Sequence, residues 1–403
     1  MKIFVINAGS SSIKYQLFDM AGNSGARPVC VGQIEKIGGQ AEIKHTVVGS
    51  SSPTINKNSV AANHQQAMEE ILELLTHNTA GVIGSASDIQ AVGHRIVHGG
   101  EAFRDATIIT EATKEKIRSL FSLAPLHNPV NYTCLELAEL YFPEATQVAV
   151  FDTAFHQSIQ DPVYRYAIPE EYYKLHNIRV YGFHGTSHKY VTARAAAWLG
   201  YLPEKIISLH LGNGCSATAI RNGQSVDTSM GFGPLAGLIM GTRSGDIDAS
   251  VVFHLAEKLN MSLPAIRDLL NKQSGMAALA GTNDMRIVGK NAANGDAAAK
   301  MATEMYVYRI RKYIGAFAAA MNGVDAILFT GGVGENDSTI RELVCRDMDY
   351  LGLKLDHERN GADSKSTRLV SSDDSSVKVL VVPTNEEVEI AQQCFQIVTG
   401  AVG

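Results

Sequence analysis

The chain has 403 residues, of which 45% are hydrophobic and 19% are charged, and its formal net charge is -6 at pH 7. This length exceeds one ordinary hydrophobic core and predicts two domains of a soluble globular protein. The acidic balance, without a long basic run, argues against nucleic acid or an anionic membrane as the main partner. Five scattered cysteines without a CxxC pair are typical of reduced thiols. The first apolar run is too short for a signal peptide, so we expect a cytoplasmic protein.

A strand, a glycine turn and a second strand occur twice, about half a chain apart. Near the N terminus, an apolar run leads to the turn at residues 7–9 and to three serines at 10–12. Later, the apolar run 206–211 leads to Gly212-Asn213-Gly214 and a second strand, after which Asn-Gly at 222–223 predicts another hairpin turn. Glycine turns expose backbone N–H groups that a phosphate can approach closely. Two such turns favour two related domains that bind one phosphorylated ligand.

The remaining elements follow from hydrophobic periodicity and from turn residues. In the first part of the chain, the patterns predict a strand at 29–34, a loop or weak hairpin at 47–64, a helix at 64–77, a strand at 89–96, a helix at 112–121, a proline-bracketed loop at 125–129, a helix at 133–141 and a strand at 147–151. In the middle they predict a helix at 189–199 capped by Ser187, helices at 249–259 and 264–271, a flexible stretch at 278–284 and a helix at 297–321. The last part is predicted to contain a strand at 324–330, a helix at 338–347, an exposed segment at 359–376, a strand at 377–382 and a final helix that returns to the first domain. In the helix at 297–321, Met301, Met305, Tyr308, Ile314 and Phe317 are predicted core residues.

Several familiar phosphate-binding and catalytic patterns are missing from the sequence. It contains no G-x-x-x-x-G-K-[ST] loop, and GGVGEN at 331–336 lacks the third glycine of a dinucleotide fingerprint. The remaining glycine turns, near residue 9, at 212–214 and at 331–334, follow predicted strands and suit a nucleotide. Asp152 directly follows the strand at 147–151, where a ligand group and a helix N-cap are about equally expected.

A series of motifs resembles the acetate kinase family of the actin/sugar-kinase/heat-shock-chaperone superfamily. In order they are NAGSSSIKYQLFD, GHRIVHGGE, LAPLHNP, FDTAFHQ, YGFHGTSHKYV, HLGNG, DTSMGF, MGTRSGDID, GGVGEN and PTNEE. The resemblance implies an α/β fold of two actin-like (ribonuclease H-like) domains, with mixed sheets flanked by helices and an active-site cleft between them. It implies a first domain of residues 1–151 plus 387–403, and a second domain of residues 152–386 that carries most of the nucleotide site.

The same resemblance implies the reaction ATP + acetate ⇌ ADP + acetyl phosphate, with Mg²⁺ (or Mn²⁺) as the cofactor and a homodimer as the assembly. Acetate, acetyl phosphate and ATP or ADP are therefore the expected partners, with no nucleic acid and no membrane. A propionate kinase is the near alternative. A nucleotide-dependent scaffold on the same fold is the remote one, because a fold alone does not define a function.

The resemblance also assigns roles to individual residues. The implied catalytic residues are Asp152, His184 and Arg243, and Arg95, His184 and Arg243 are implied to stabilise in-line transfer. The implied substrate contacts are Arg95, Val97, Leu126, His127, Phe183 and Pro234. The implied nucleotide contacts are Lys14, His210, Leu211, Gly212, Asn213, Gly214, Asp284, Met285, Arg286, Gly332, Val333, Gly334, Glu335 and Asn336, and the implied metal pair is Asn7 and Glu386.

Residue chemistry alone leaves alternatives for several of these residues. A guanidinium matches carboxylate or phosphate oxygens, but a lone arginine is more often a solvated surface charge, so the roles of Arg95 and Arg243 come from the resemblance. The rival interpretation of Arg243 is a surface salt bridge. The alternative for His184 is a buried histidine whose two nitrogens are both satisfied, and the same choice applies to His127 and His210. A carboxylate substrate is already ionised at neutral pH, so Asp152 is expected to orient other groups and not to remove a proton.

Overall fold

The computed structural model describes residues 1–22, 25–49 and 54–400. The chain forms two compact units, one of Met1–Ala154 with Asn385–Gly403 and one of Phe155–Thr384. Residues 401–403, which the sequence assigned to the first domain, lie outside the described residues. Asp152 and Glu386, which the sequence assigned to the second domain, belong to the first unit.

The first unit is built on an eight-stranded mixed sheet in the order β5-β4-β3-β2-β1-β6-β8-β7. Its strands are β1 (Lys2–Gly9), β2 (Ser12–Met20), β3 (Ala26–Glu35), β4 (Gly39–Val47), β5 (Thr54–Ala61), β6 (Ala91–Ile96), β7 (Thr107–Ile108) and β8 (Thr146–Phe151). Its helices are α1 (His64–Leu75), α2 (Glu111–Ser119), α3 (Asn128–Tyr141) and the C-terminal helix (Glu386–Thr399). β1, β6 and β8 run parallel to one another, whereas β1 to β5 form antiparallel pairs.

The first strand is buried on both faces because its side chains alternate between two hydrophobic cores. Phe4 and Ile6 pack in the core that includes residues of α1 and α3. Ile3 and Val5 pack in a second core with Ile390 of the C-terminal helix. This alternation explains why β1 reads as a continuous apolar run and not as an alternating strand.

The second unit is built on a six-stranded mixed sheet in the order β11-β10-β9-β12-β14-β13. Its strands are β9 (Lys205–Leu211), β10 (Cys215–Arg221), β11 (Gln224–Thr228), β12 (Ala326–Thr330), β13 (Arg368–Leu369) and β14 (Lys378–Val381). Its helices are α4 (Glu170–His176), α5 (Gly185–Leu199), α6 (Ala249–Glu257), α7 (Leu263–Lys272), α8 (Gly275–Ala280), α9 (Met285–Ala293), α10 (Ala297–Met321), α11 (Gly331–Asn336), α12 (Ser338–Cys345) and α13 (His357–Gly361). Short 3-10 helices span Ala86–Asp88, Ala154–Ser158 and Asp349–Leu351.

The two sheets share a topological unit. In the first, the hairpin β1–β2 lies beside the parallel strands β6 and β8; in the second, the hairpin β9–β10 lies beside the parallel strands β12 and β14. The repeated strand–glycine turn–strand pattern of the sequence therefore corresponds to the same position in each sheet. The predicted fold class, α/β with mixed sheets flanked by helices, is confirmed.

Several local predictions are wrong for identifiable reasons. The proline-bracketed loop ends earlier than predicted, because α3 begins at Asn128 and takes Pro129 into its first turn, where a missing N–H leaves no hydrogen bond unmade. Ser187 lies inside α5, which begins at Gly185, so Ser187 is not its cap. The stretch predicted as flexible at 278–284 overlaps α8, whose alanines favour helix.

The predicted core face of α10 is only half correct. Ile314 and Phe317 are buried, but Met301, Met305 and Tyr308 are 58%, 40% and 66% exposed. The helix is long enough to bury different faces along its length, so a single apolar stripe could not be assigned from periodicity.

Two segments predicted to be irregular contain strands. The segment 47–64, predicted as a loop or a weak hairpin, contains β5, which pairs with β4 and so agrees with the hairpin. Its residues 50–53 lie outside the described ranges. The segment 359–376 was expected to be exposed, but it contributes β13 and buries Val370, Ser371 and Ser375. Among the described residues, no helix combines the length and apolar character needed to cross a membrane. All five cysteines are buried free thiols.

Candidate active site

Three polar side chains lie at the carboxyl ends of adjacent parallel strands in the first unit. Asn7 is near the end of β1, Arg95 is near the end of β6, and Asp152 directly follows β8. These strands are neighbours in the order β1-β6-β8. Since carboxyl ends of parallel strands meet at one edge of a sheet, the three side chains lie together.

Arg95 is the centre of this cluster. Its Nη2 donates to Oδ2 of Asp152 at 2.5 Å, and its Nη1 donates to Oδ1 of Asn7 at 3.3 Å. Its Nε lies 3.6 Å from Oε2 of Glu386. Burial lowers the pKa of Arg95, but the nearby carboxylates of Asp152 and Glu386 raise it by more, so the pKa lies above its ordinary value. Asp152, which is 1% exposed, therefore holds a permanently charged guanidinium in place.

Glu386 opens the C-terminal helix and carries an unusual charge environment. Its side chain is 17% exposed. Burial raises its pKa to about 7, with the negative charges of Asp152 and Glu387 acting in the same direction, while Arg95 and Lys14 lower it. Lys14, predicted to contact the nucleotide, is exposed on β2. An ionised Glu386 is thus unfavourable in this cluster unless more positive charge is present.

The residues of this cluster fit the implied magnesium ion. Asn7 Oδ1 and the Glu386 carboxylate are oxygen ligands of the type that Mg²⁺ prefers, with water completing its coordination. Glu387 also belongs to the cluster, since Nδ2 of Asn7 donates to its Oε1 at 3.5 Å. Within the described ranges, no group of three or more His, Cys, Asp or Glu residues has the arrangement of a metal site. A divalent cation bound here would therefore rely on few protein ligands, and its positive charge would favour the ionised form of Glu386.

The predicted acyl contacts of the first unit follow β6. Val97 is 8% exposed, and its backbone N–H donates to Oδ1 of Asn131 at 3.1 Å. His127 is the residue before α3, whereas Leu126 is 65% exposed. Asn131 also donates to the Ala8 carbonyl at 2.7 Å, so one buried amide fixes the backbone at the ends of both β1 and β6. The sequence analysis missed Asn131; its signal was a polar residue one helical turn after Asn128 on the buried face of α3.

In the second unit, the backbone around His184 is held in an uncommon conformation. His184 has φ 56° and Gly182 has φ 74°, and the left-handed region costs a non-glycine residue about 1–2 kcal/mol. The Nε2 of His156 donates to the Phe183 carbonyl at 3.0 Å. A Cβ on Gly182 would lie 2.6 Å from the His156 ring, so only glycine allows this approach. The strain of the turn is thus balanced by a buried hydrogen bond on its middle residue.

The imidazole of His184 and the guanidinium of Arg243 converge. Nδ1 of His184 lies 2.9 Å from the Ser216 hydroxyl, and its ring centroid is 4.3 Å from that of His210. A Cβ placed on Gly214 would lie 3.3 Å from His184 Nε2 and 3.9 Å from Arg243 Nη1. Two groups capable of binding phosphate oxygens therefore face the glycine turn that follows β9.

Arg243 is held by its own loop. Its Nη1 donates to the Pro234 carbonyl at 2.9 Å, and burial lowers its pKa. No carboxylate pairs with it in the part of the chain that the structure describes, so the surface salt bridge expected as its alternative is not present there. Asp246 closes the loop, because it accepts from the Gly237 N–H at 2.6 Å and from the Tyr313 hydroxyl at 2.8 Å.

The glycine turn after β9 is fixed by backbone and amide contacts. The Gly212 N–H donates to the Gly214 carbonyl at 3.1 Å. Asn213 accepts from the Gly241 N–H through its carbonyl at 2.9 Å and from Asn283 through its side chain at 3.1 Å. The turn thereby connects three segments that are far apart in sequence.

An open cavity of about 760 Å³ lies beside this turn, within the 300–1,000 Å³ common for small-molecule sites. Its lining includes the predicted nucleotide contacts Gly212, Asn213, Asp284, Met285, Arg286, Gly332, Val333 and Asn336. It also includes Asn283, Asp337, Ser338 and Thr339, which the sequence analysis missed although they directly adjoin predicted residues.

Other predicted nucleotide contacts are not part of the cavity wall. Glu335 instead accepts from the backbone N–H groups of Gly331 at 3.0 Å and Thr384 at 3.1 Å, which ties α11 to the segment after β14. Gly334 and Leu211 are buried. His210 lies 2.8 Å from the Ser187 hydroxyl through Nδ1.

Comparison with known proteins gives a consistent result over the whole chain. The sequence model of the acetokinase family matches residues 2–392. An acetate kinase of Flavobacterium johnsoniae is 48% identical over 98% of this chain and 99% of the relative. The crystal structure of an acetate kinase from Porphyromonas gingivalis, 43% identical, matches with a TM-score of 0.92 over 98% of this chain and 99% of that one. A propionate kinase structure from Francisella tularensis, 40% identical, matches with a TM-score of 0.90 over the same shares of the two chains. The chain therefore belongs to the acetokinase family.

Proposed function

We propose that this protein transfers the γ-phosphoryl group of ATP to acetate, giving acetyl phosphate and ADP, and catalyses the reverse reaction. One observation carries the proposal beyond family membership. The His184 imidazole and the Arg243 guanidinium both face Gly214, in the turn that also lines the 760 Å³ cavity through Gly212 and Asn213. Phosphoryl transfer depends mainly on positioning and on positive or hydrogen-bonding groups around the transferred group, and this turn supplies both.

The second unit supplies the nucleotide site in this proposal. The cavity is lined by residues of the turns at 212–213 and 332–333 and of the segment 283–286. Backbone N–H groups of such turns bind phosphates, so we assign the phosphates to the turns and the base and ribose to the rest of the cavity. His184 and Arg243 then contact the γ-phosphoryl oxygens. Arg243 has no carboxylate partner among the described residues, so its charge is available to a phosphoryl group.

The first unit supplies the carboxylate and metal ligands. Arg95 offers a fork of N–H donors that matches the acetate carboxylate, and Asp152 and Asn7 fix its orientation. Because acetate is already a carboxylate at neutral pH, no residue needs to remove a proton. Asn7 and Glu386 would hold Mg²⁺, which supplies charge neutralisation for the phosphates when bound. Val97, Leu126, His127, Phe183 and Pro234 stay predicted acetate contacts, and Lys14 a predicted phosphate contact.

Propionate kinase remains the second candidate, since a propionate kinase is among the structures that match. The scaffold alternative is disfavoured, because a scaffold that only binds a nucleotide has no need for Arg95 held by three oxygen-bearing side chains. A cytoplasmic location and a homodimer remain predictions.

Trapping with hydroxylamine tests the proposal. The purified protein is incubated with ATP, Mg²⁺, hydroxylamine and either acetate, propionate or glycerol. We expect acyl hydroxamate from acetate, less from propionate and none from glycerol. No hydroxamate from either carboxylate would refute the proposed reaction, and a higher kcat/KM for propionate would favour the second candidate.

A further inference from the structure

The loop that carries Arg243 is closed at its base by Gly237 and Asp246, a pair that we call the neck. The Asp246 N–H donates to the Gly237 carbonyl at 3.0 Å, and the Gly237 N–H donates to Oδ1 of Asp246 at 2.6 Å. Gly237 has φ 99°, and a Cβ on it would lie 2.6 Å from the Ser229 carbonyl oxygen, so only glycine fits this position. The two ends of the loop are therefore fixed to each other through backbone groups and through one carboxylate.

Two side chains of α10 bind the neck. Nη1 of Arg309 donates to the Gly237 carbonyl at 2.9 Å and to the Asp246 carbonyl at 3.3 Å, and it lies 3.6 Å from Oδ2 of Asp246. The Tyr313 hydroxyl donates to Oδ2 of Asp246 at 2.8 Å. Arg309 and Tyr313 are four residues apart, so they lie on the same face of the helix. Burial raises the pKa of Tyr313 and the charge of Asp246 raises it further, so the hydroxyl stays protonated and donates.

The support behind the neck belongs to the hydrophobic core. Helix α10 is 25 residues long, and the Tyr313 ring packs edge-on against Phe317, which is 3% exposed, at a centroid distance of 5.5 Å. The side chain of Asp246, by contrast, is 46% exposed. An exposed ion pair contributes about 1 kcal/mol of stability or less, so stability alone gives little reason for Arg309 and Tyr313 to converge on this carboxylate.

The segments between the neck and Arg243 leave the loop little freedom. Leu238, Ile239 and Met240 are at most 4% exposed. Gly245 has φ 68°, and a Cβ on it would lie 2.4 Å from the Leu238 carbonyl oxygen, so the two limbs of the loop are in direct backbone contact. Beyond this contact, the Met240 N–H donates to the Arg243 carbonyl at 3.2 Å. A displacement of the neck is therefore transmitted to the backbone of Arg243.

The position of Arg243 matters because its guanidinium meets a second fixed segment. Its Nη1 donates to the Pro234 carbonyl at 2.9 Å and lies 3.9 Å from the Cβ position of Gly214. The Gly241 N–H donates to the Asn213 carbonyl at 2.9 Å, which joins the same loop to the glycine turn after β9. A misplacement of about 1 Å caused far from the reacting atoms can lower a rate by about 100-fold. The contacts of the neck can therefore influence the reaction without touching a ligand.

We propose that Asp246, Arg309 and Tyr313 are positioning residues, which hold the neck on α10 and thereby place the Arg243 guanidinium at Gly214. The effect on phosphoryl transfer rests on the proposed function. The placement of Arg243 is a property of the free protein and is measured without activity.

Guanidinium NMR of the full chain, labelled with ¹⁵N in arginine, reports the placement of Arg243. A hydrogen bond on one Nη slows rotation about the Nε–Cζ bond, so a held guanidinium gives two Nη resonances and a mobile one gives a single averaged resonance. The Arg243 signals are those that disappear in Arg243→Lys. We expect two Nη resonances in wild type and in Asp246→Asn, and one in Asp246→Ala. Unchanged Arg243 resonances in a folded Asp246→Ala overturn the proposal whether or not the chain forms acetyl phosphate.

Steady-state kinetics tests the consequence for the reaction. Asp246→Ala removes the carboxylate from its partners, so we expect kcat to fall about 10- to 100-fold, with KM for ATP changed by at most about twofold. The amide of Asp246→Asn can accept from Gly237 and donate to Tyr313, so this variant should keep most of kcat. Equal kcat in Asp246→Ala and wild type would overturn the proposal.

Asp248→Ala is the matched control. Asp248 is an exposed carboxylate of the same segment, and it accepts from the Ser250 N–H at 2.7 Å at the start of α6 and not in the neck. Loss of this helix cap costs about 1 kcal/mol of stability and should leave kcat and the Arg243 resonances unchanged.

A double-mutant cycle with Arg243→Ala separates positioning from a general loss of structure. A residue that acts through Arg243 has nothing left to position once the guanidinium is gone. Asp246→Ala should therefore lower kcat by less than about twofold in the Arg243→Ala chain. The same fold loss in both backgrounds would overturn the proposal.

Tyr313→Phe replaces Asp246→Ala in these tests if the latter folds poorly, because it keeps the ring against Phe317 and removes only the hydroxyl. We expect it to lower kcat about three- to tenfold, the value of one hydrogen bond, and only when Arg243 is present. Wild-type kcat in a folded Tyr313→Phe would then overturn the proposal.

Discussion

Gly214→Ala is the substitution that tests the convergence of His184 and Arg243 most sharply. The new Cβ would lie 3.3 Å from His184 Cε1 and Nε2 and 3.9 Å from Arg243 Nη1. Gly214 is not among the residues with positive φ, so alanine fits its backbone conformation. The change adds one methyl group to the point that both side chains face and alters little else.

The magnitude follows from these distances. A Cβ at 3.3 Å is closer than ordinary van der Waals contact, so the His184 ring must shift by a few tenths of an ångström. The methyl group also occupies space that a phosphoryl oxygen would need in order to reach Nε2 and Nη1. Loss of one oriented hydrogen-bond donor to a developing charge costs roughly 10²–10³ in kcat. We therefore expect kcat to fall at least about 30-fold, with KM for ATP changed much less because the nucleotide cavity keeps its walls.

Steady-state kinetics and thermal melting are measured together. Replacing glycine by alanine at a compatible position changes unfolding free energy by about 1 kcal/mol or less in the stabilising direction, so Tm should not fall by more than a few degrees. Gly233→Ala is the control, because apart from its chain neighbours no atom of the described residues lies within 4 Å of its Cβ position, and its φ is not positive. A folded Gly214→Ala with wild-type kcat would show that no reacting group occupies this position.

Three further predictions concern charge and pocket size. Arg243→Ala should lower kcat by about 10³-fold or more while the protein stays folded, and Arg243→Lys should recover only part of this loss, because lysine keeps the charge but not the planar fork; near-normal kcat in Arg243→Ala would remove it from the mechanism. The folded pKa of Glu386 is raised from 4.5 to about 7, so ionising this carboxyl destabilises the native state increasingly as the pH rises from 4.5 to 7. The free energy of unfolding in urea at pH 8 should therefore be higher for Glu386→Gln than for wild type by up to about 3 kcal/mol, and the difference should vanish below pH 4.5. Equal pH dependence of the two proteins would contradict this. We expect wild type to prefer acetate over propionate by roughly 1–3 kcal/mol, the value of one methylene, and Val97→Ala should narrow this preference. Competition kinetics with the two acids measures the ratio of their kcat/KM values. The same ratio in Val97→Ala and wild type would show that Val97 does not line the pocket.

The sequence was most informative where backbone chemistry is restrictive. The turns at 212–214 and 222–223 and the strands around them were predicted nearly to the residue, because glycine and Asn-Gly pairs leave the chain few alternatives. The bounds of helix α10, Ala297–Met321, also match the prediction from hydrophobic periodicity.

Side-chain networks were not predictable in this way. The donation from Arg95 to Asp152 joins residues 57 positions apart, and the hydrogen bond between His188 and Ser216 joins helix α5 to strand β10. No local pattern records such pairings, since they depend on strand order. Asn131 was missed for the same reason, since it fixes backbone that is distant in sequence. Asp246 was missed as well; it accepts from Gly237 in its own loop and from Tyr313 of α10, which is distant in sequence.

The most direct test of the central claim is ³¹P NMR of the reaction between ATP and acetate labelled with ¹⁸O in its carboxylate. Attack of the carboxylate on the γ-phosphorus predicts an acyl phosphate resonance that grows in step with ADP and carries the isotope shift of a bridging ¹⁸O. Conversion of ATP to ADP and inorganic phosphate without an acyl phosphate, or an acyl phosphate without ¹⁸O in the bridge, would contradict the account.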